Sequence, residues 1–129
     1  MRVLYICTGN SFRSPSAEAL TRKYHPEIEV ESAGTHATYY IASDAKKLLE
    51  EENAVIYVKP SPDTVSQRAV DEADLIFVFE ERHKIFLLNN FDVSSEKILN
   101  WEIEDPIKPN VHPKDAFSRI KKKVKELPQ

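Results

Sequence analysis

The stretch Arg2-Val3-Leu4-Tyr5-Ile6-Cys7-Thr8-Gly9-Asn10-Ser11-Phe12-Arg13-Ser14-Pro15-Ser16-Ala17-Glu18-Ala19-Leu20 decides how this chain folds. Val3 to Ile6 is a short apolar run that reads as a buried strand. From Pro15 to Leu20 the pattern is that of a helix start, with Ser14 as N-cap, Pro15 at the first helical position and Glu18 in the first turn. Between them lies a tight loop that opens with Cys7 and closes with Arg13 and Ser14, and Gly9 gives its backbone freedom to turn. A loop leading from the carboxyl end of a parallel strand to a helix N-terminus aims several N–H groups at one spot, which makes it an anion site. Helix N–H groups and a guanidinium favour the thiolate form of a cysteine. The planar fork of Arg13 can grip two oxygens of a phosphate or arsenate. Cys7 therefore reads as a nucleophile facing an electrophile that its own loop binds. The bland alternative is an inert core cysteine, since free Cys is among the most buried residue types.

Outward from this stretch, the chain alternates strands with helices. Ile28, Val30 and Ser32 alternate with Glu27, Glu29 and Glu31, the period of a strand at a sheet edge. Residues 32 to 42 form a loop of small residues with Tyr39 and Tyr40 at its centre. Ser43-Asp44 starts a helix reaching Glu52, and the run Glu50-Glu51-Glu52 opposes the helix dipole, so fraying is expected there. Val55 to Val58 is β-rich, and Asp63-Thr64 opens a helix toward Ala73. Asp74 to Phe79 is a second buried, central strand, with Glu80-Glu81 at its carboxyl end, where doubly wound sheets bind ligands. Lys97 to Trp101 is a last short strand, and Lys114 to Leu127 a helix whose lysines face water. Strands alternating with helices predict an α/β fold with a parallel sheet wrapped on both sides.

The chain has 129 residues, the size of one domain over 1–129. Its 18 basic and 21 acidic residues give a net charge of −3, against a nucleic-acid partner. No apolar run approaches the ~20 residues that span a bilayer, so no membrane role is expected, and the absence of a signal peptide predicts a cytoplasmic protein. A single cysteine permits no internal disulfide. His25, His36, His83 and His112 lack metal-ligand spacing and read as surface or capping residues. No metal or other cofactor is implied.

Cys7-Thr8-Gly9-Asn10-Ser11-Phe12-Arg13-Ser14-Pro15 with Ala17-Glu18 resembles the phosphate loop of the low-molecular-weight protein tyrosine phosphatases. Ser32-Ala33-Gly34-Thr35 and Asp105-Pro106 fit the same family, which shares its scaffold with arginine phosphatases and thiol-dependent arsenate reductases. The resemblance implies a flavodoxin-like, four-stranded doubly wound sheet. It makes Cys7 the nucleophile and Asp105 the general acid and then base, where an acidic residue before proline would otherwise be an ordinary turn. Glu102 and Glu104 are the alternative acids. Ser14 would hydrogen-bond the sulfur, and Thr8, Gly9, Asn10, Ser11 and Phe12 would surround the anion, with Asn10 more a brace than a contact. Tyr39 or Tyr40 would supply an aromatic wall, unless both merely pack the loop.

The expected partners are a phosphorylated protein or small phosphate ester, with phosphate or sulfate as ions that fit the loop. Phe12 stands where many members carry a second cysteine that can shelter an oxidised nucleophile, so oxidation of Cys7 should be harder to reverse. Two features depart from the tyrosine-specific pattern: Ile107 follows Asp-Pro in place of an aromatic, and Ser11 is small and polar. The leading expectation is a phosphotyrosine phosphatase. An arginine phosphatase, a small-thiol arsenate reductase and a non-enzymatic phosphopeptide-binding module are the alternatives.

Overall fold

A computed structural model describes residues 1–107 and 109–128 of the chain. Four strands, β1 (Arg2–Cys7), β2 (Glu29–Gly34), β3 (Leu75–Val78) and β4 (Ile98–Asn100), form one sheet in the order β2-β1-β3-β4. Every pairing is parallel. Five helices connect and cover them: α1 (Arg13–Tyr24), α2 (Ser43–Glu51), α3 (Gln67–Glu72), α4 (Glu81–Asn90) and α5 (Pro113–Lys125). This is the expected flavodoxin-like α/β architecture.

Alternation along β1 divides the core in two. Val3, Tyr5 and Cys7 face the layer of α1, α2 and α5, while Leu4 and Ile6 face α3 and α4. Both interior strands are buried on both faces, which explains why β1 and β3 read as continuous apolar runs. The alternating β2 lies at the sheet edge as its period predicts. Among the described residues, no helix is long and apolar enough to cross a membrane.

Several local expectations need correction. Helix α1 begins at Arg13, with Phe12 in the N-cap position and no side-chain cap, because the Ser14 hydroxyl is engaged by the loop instead. Glu18 consequently lies beyond the first turn, buried, and bound to Ser32 and Arg22. Val55–Tyr57 is a 3-10 turn rather than a strand. The segment that meets the open edge of β2 is residues 63 to 65, through Gly34 N–H to the Asp63 carbonyl and Val65 N–H to the Gly34 carbonyl. Val55 and Val58 instead pack against the core on the α1 side, where tertiary contacts override local β propensity. Helix α3 starts three residues later than expected, capped by the Ser66 hydroxyl. The end of α2 does not fray into solvent: Glu52 pairs with Lys121 and accepts from Tyr24. His25 is buried, and its Nε2 lies 2.7 Å from the Val124 carbonyl, tying α1 to α5.

The tightest constraint sits at the end of β2. A Cβ built on Gly34 would lie 2.5 Å from the Thr8 carbonyl oxygen and 3.0 Å from the Asn10 nitrogen. Both obstacles are backbone, so neither can rotate away. Gly34→Ala is expected to push the loop off the strand, costing about 1–3 kcal/mol of stability as overpacking does. Urea unfolding of the variant checks this, and an unchanged midpoint would show that the loop gives way freely.

Candidate active site

The loop after β1 has all its polarity sorted to one side. The carbonyls of Cys7, Thr8, Gly9 and Ser11 accept from the N–H groups of Thr35, His36, Thr38 and Ala42 at 2.9–3.0 Å. Among the described residues, no protein group takes up the N–H groups of residues 9 to 14. Those donors converge inside the loop and meet the uncapped start of α1, forming a nest for an anion. The sharp turn is made by Asn10, at φ 51°, and not by Gly9, which has no positive φ. Gly9 is needed for close approach instead: a Cβ there would sit 3.0 Å from a Thr38 methyl.

Cys7 is 2% exposed at the floor of this nest, with Sγ 2.9 Å from Ser14 Oγ. Ser14 Oγ accepts from Asn10 Nδ2 at 2.7 Å, which leaves the serine proton to point at sulfur. Asn10, one of the expected substrate contacts, has a fully buried side chain directed behind the loop at Ser14, Ser32 and Lys59. Cys7, Thr8, Gly9, Ser11, Phe12 and Arg13 line one side of a 290 Å³ cleft, and Asp105, Pro106 and Ile107 line the other.

Arg13 is 2% exposed, so its charge must be met within the protein. Its Nη1 donates to Glu80 Oε2 at 2.6 Å and to the Ile103 carbonyl at 2.9 Å. Its Nη2 lies 3.5 Å from both Asp105 Oδ2 and Thr8 Oγ1, on the cleft side. Burial works against the charge of Glu80, but hydrogen bonds from Arg82 and Arg13 outweigh it and hold the carboxyl at about 2. His83 completes the frame. Its Nδ1 accepts from the backbone N–H groups of Phe79 and Glu80, so Nε2 carries the proton and donates to Thr8 Oγ1 at 2.9 Å. Burial, reinforced by the nearby Arg13 cation, pushes His83 down to about 3, so the ring is neutral.

Asp105 faces Arg13 across the cleft, and its Oδ1 accepts from the Ile107 N–H at 3.2 Å. Glu102 and Glu104 line a separate depression on the α5 side and do not reach the cleft. Tyr39 and Tyr40 are 87% and 81% exposed and lie outside the cleft lining, where His36, Thr38 and Ala42 stand instead. The Ser11 hydroxyl is spent on the Tyr40 carbonyl at 2.7 Å, which ties that loop to the turn below it. His112 caps α5, and His83, though buried, caps α4 by accepting the Glu80 N–H, so both meet the capping expectation.

Glu80, His83 and Lys59 were not expected at the site: Glu80 was marked only by its place at the carboxyl end of a central strand, His83 only as a surface or capping residue, and Lys59 carried no signal. Among the described residues, no group of His, Cys, Asp and Glu is arranged to hold a metal ion.

The frame has a pH signature. The carboxyl of Glu80 is lowered from 4.5 to about 2, so its stabilisation is complete above 4.5 and lost as pH falls toward 2. Folded His83 titrates near 3 and the unfolded side chain near 6.5, so the unfolded state binds the extra proton between those values and stability falls as pH drops from 6.5 to 3. Chemical denaturation between pH 7 and 5 should show wild type losing stability faster than His83→Gln, whose side chain does not titrate. Parallel losses would place the acid sensitivity elsewhere.

The sequence profile described as low molecular weight phosphotyrosine protein phosphatase matches residues 2–129. The low molecular weight protein-tyrosine-phosphatase Wzb of Escherichia coli strain K12 is 37% identical over 82 residues, which are 63% of this chain and 56% of that protein. Wzb of Salmonella typhi is 30% identical over 127 residues, 92% of this chain and 83% of the relative. Among solved structures, YwlE arginine phosphatase from Geobacillus stearothermophilus superposes with a TM-score of 0.82 at 25% identity, covering 95% of this chain and 87% of that one. With a profile match that runs the length of the chain, this protein belongs to the low molecular weight phosphotyrosine protein phosphatase family.

Proposed function

We propose that residues 1–129 act as a single-domain phosphatase that hydrolyses phosphate monoesters, protein phosphotyrosine above all, through a cysteinyl-phosphate. The observation that carries this is the placement of Cys7 beneath a ring of unused N–H groups, with Arg13 beside it and Asp105 across one cleft. The Cys7 thiolate attacks phosphorus in line while the bond from phosphorus to the leaving oxygen breaks. The inward N–H groups and the Nη2 edge of Arg13 hold the three equatorial oxygens, and preorganised donors of this kind are worth roughly 10²–10³ each in rate. Asp105 gives its proton to the leaving oxygen. It then takes a proton from the water that attacks the cysteinyl-phosphate, releasing inorganic phosphate and restoring the thiolate. The proton of Ser14, aimed at sulfur, eases that second departure. Phosphate and sulfate are the simple anions this nest accepts. An unpaired, catalytic thiol supports a reducing, cytoplasmic setting.

A second reading, phosphoarginine as substrate, is favoured by the cleft wall. Ile107 follows Asp105-Pro106, Tyr39 and Tyr40 are turned away, and Phe12 is the sole aromatic carbocycle among the described lining residues. The two substrates separate in one assay, in which a phosphotyrosine and a phosphoarginine peptide of identical flanking sequence are compared by kcat/KM.

With p-nitrophenyl phosphate, wild type should turn over, Cys7→Ser should be inactive, and Asp105→Ala should lose about 10²–10⁴ in kcat, the range for a general acid. A Cys7→Ser variant as active as wild type would end the covalent mechanism.

A further inference from the structure

Behind the loop, out of reach of any substrate, an ammonium group is aimed at the loop's turning residue. Lys59 Nζ donates to Asn10 Oδ1 at 2.7 Å and to the Ser32 carbonyl at 2.8 Å, and it pairs with Asp63 Oδ2 at 2.8 Å. All three of its hydrogens are used, and the side chain is 9% exposed. Resting on the phosphatase reading above, we propose that Lys59 is a positioning residue for the reaction, acting through Asn10 and Ser14 on the Cys7 sulfur.

The argument is one of hydrogen-bond direction. An ammonium has only donors, so it can face the carbonyl oxygen of the Asn10 amide and never its NH₂. That fixes which way the amide lies. Nδ2 must then point at Ser14 Oγ and Ser32 Oγ, at 2.7 and 3.0 Å. Ser14 Oγ, already accepting from Nδ2, keeps its own proton, for which Cys7 Sγ at 2.9 Å is a much nearer acceptor than the Ala33 carbonyl at 3.5 Å. An unbroken donor chain thus runs from Lys59 through Asn10 and Ser14 to sulfur. Its side branch ends correctly, because Ser32 Oγ accepts from Asn10 and donates to the Glu18 carboxylate. If the amide were flipped, two NH donors would confront the ammonium and the Asp63 N–H, which is 2.9 Å from Oδ1. Ser14 would then face an amide oxygen and would spend its proton there instead of on sulfur. Lys59 forbids that state. Asn10 also sits at φ 51° with its side chain fully buried, so the same contact secures the one left-handed residue of the loop.

The test is a double-mutant cycle on p-nitrophenyl phosphate hydrolysis, with Lys59→Met, Ser14→Ala and the pair. Lys59 touches no substrate, so Lys59→Met should lower kcat about tenfold while KM stays within twofold. In the Ser14→Ala background, which has no proton to misdirect, the same substitution should change kcat by less than twofold. Equal loss in both backgrounds would show a purely structural role and overturn the proposal, as would an unchanged kcat in Lys59→Met. Thermal unfolding of each variant identifies any that is not folded at assay temperature. Should Lys59→Met fail that check, Lys59→Gln replaces it, and the same non-additivity is required. A wild type that leaves p-nitrophenyl phosphate untouched would sink the phosphatase reading itself, a result distinct from a cycle that adds.

Discussion

The site depends on one sorting of backbone polarity. Four loop carbonyls turn outward and are taken by the segment that follows β2, so the N–H groups have nowhere to point but inward. A peptide plane carries its two dipole ends on opposite sides, so satisfying one set orients the other. The anion nest is thereby built before any substrate arrives, and its donors need no reorganisation during reaction. Gly34 makes this possible, since the two backbones approach each other more closely than any side chain would allow.

Around the nest, charge is handled at two depths. Arg13 is buried, and its cation is answered by Glu80 on one edge, by Asp105 and the Thr8 hydroxyl at the other, and by the Ile103 carbonyl. The Phe79 ring lies below it, with its centroid 5.9 Å from the guanidinium carbon, and Phe79 in turn meets Trp101 edge-on. Placing a carboxylate on Nη1 commits that edge to the scaffold and leaves Nη2 toward the cleft. His83, neutral, holds Thr8 without adding a competing charge. On the far side, Lys59 and Glu18 terminate the polar network with opposite charges, so its hydrogen bonds have a defined sense. The low dielectric of these surroundings strengthens each bond and makes an orphaned donor or acceptor correspondingly costly.

How much of this was legible in the sequence follows from the range of the forces involved. Strands β1 and β3 were plain because burial on both faces leaves an unbroken apolar run, and β2 because an edge strand alternates. Cys7 and Arg13 were legible because both lie within one loop, where spacing alone fixes their relation. Ser14 was misread as a cap, since local propensity cannot know that sulfur and an amide compete for its hydroxyl. Val55 to Val58 failed as a strand for a similar reason: local β propensity cannot know that Val55 and Val58 are wanted by the core, which they meet from a 3-10 turn. Glu80, His83 and Lys59 meet the loop only through tertiary contacts spanning 49 to 75 positions of sequence. No local pattern encodes such meetings. Tyr39 and Tyr40 show the converse: two neighbouring aromatics in the right segment read as a wall, yet both side chains stand exposed.

Cys7 is the single sulfhydryl of the molecule and lies at the bottom of its cleft. Any thiol-directed reagent therefore labels one position, the sulfur at the floor of the anion nest. A bound oxyanion roofs the sulfur, so protection against alkylation measures occupancy of the nest directly, without turnover and without a coloured ester. The moles of label taken up per mole of chain likewise count competent sites. The absence of a second cysteine, which leaves an oxidised Cys7 without a disulfide partner in its own chain, gives the protein a built-in titrant of its own intact nests.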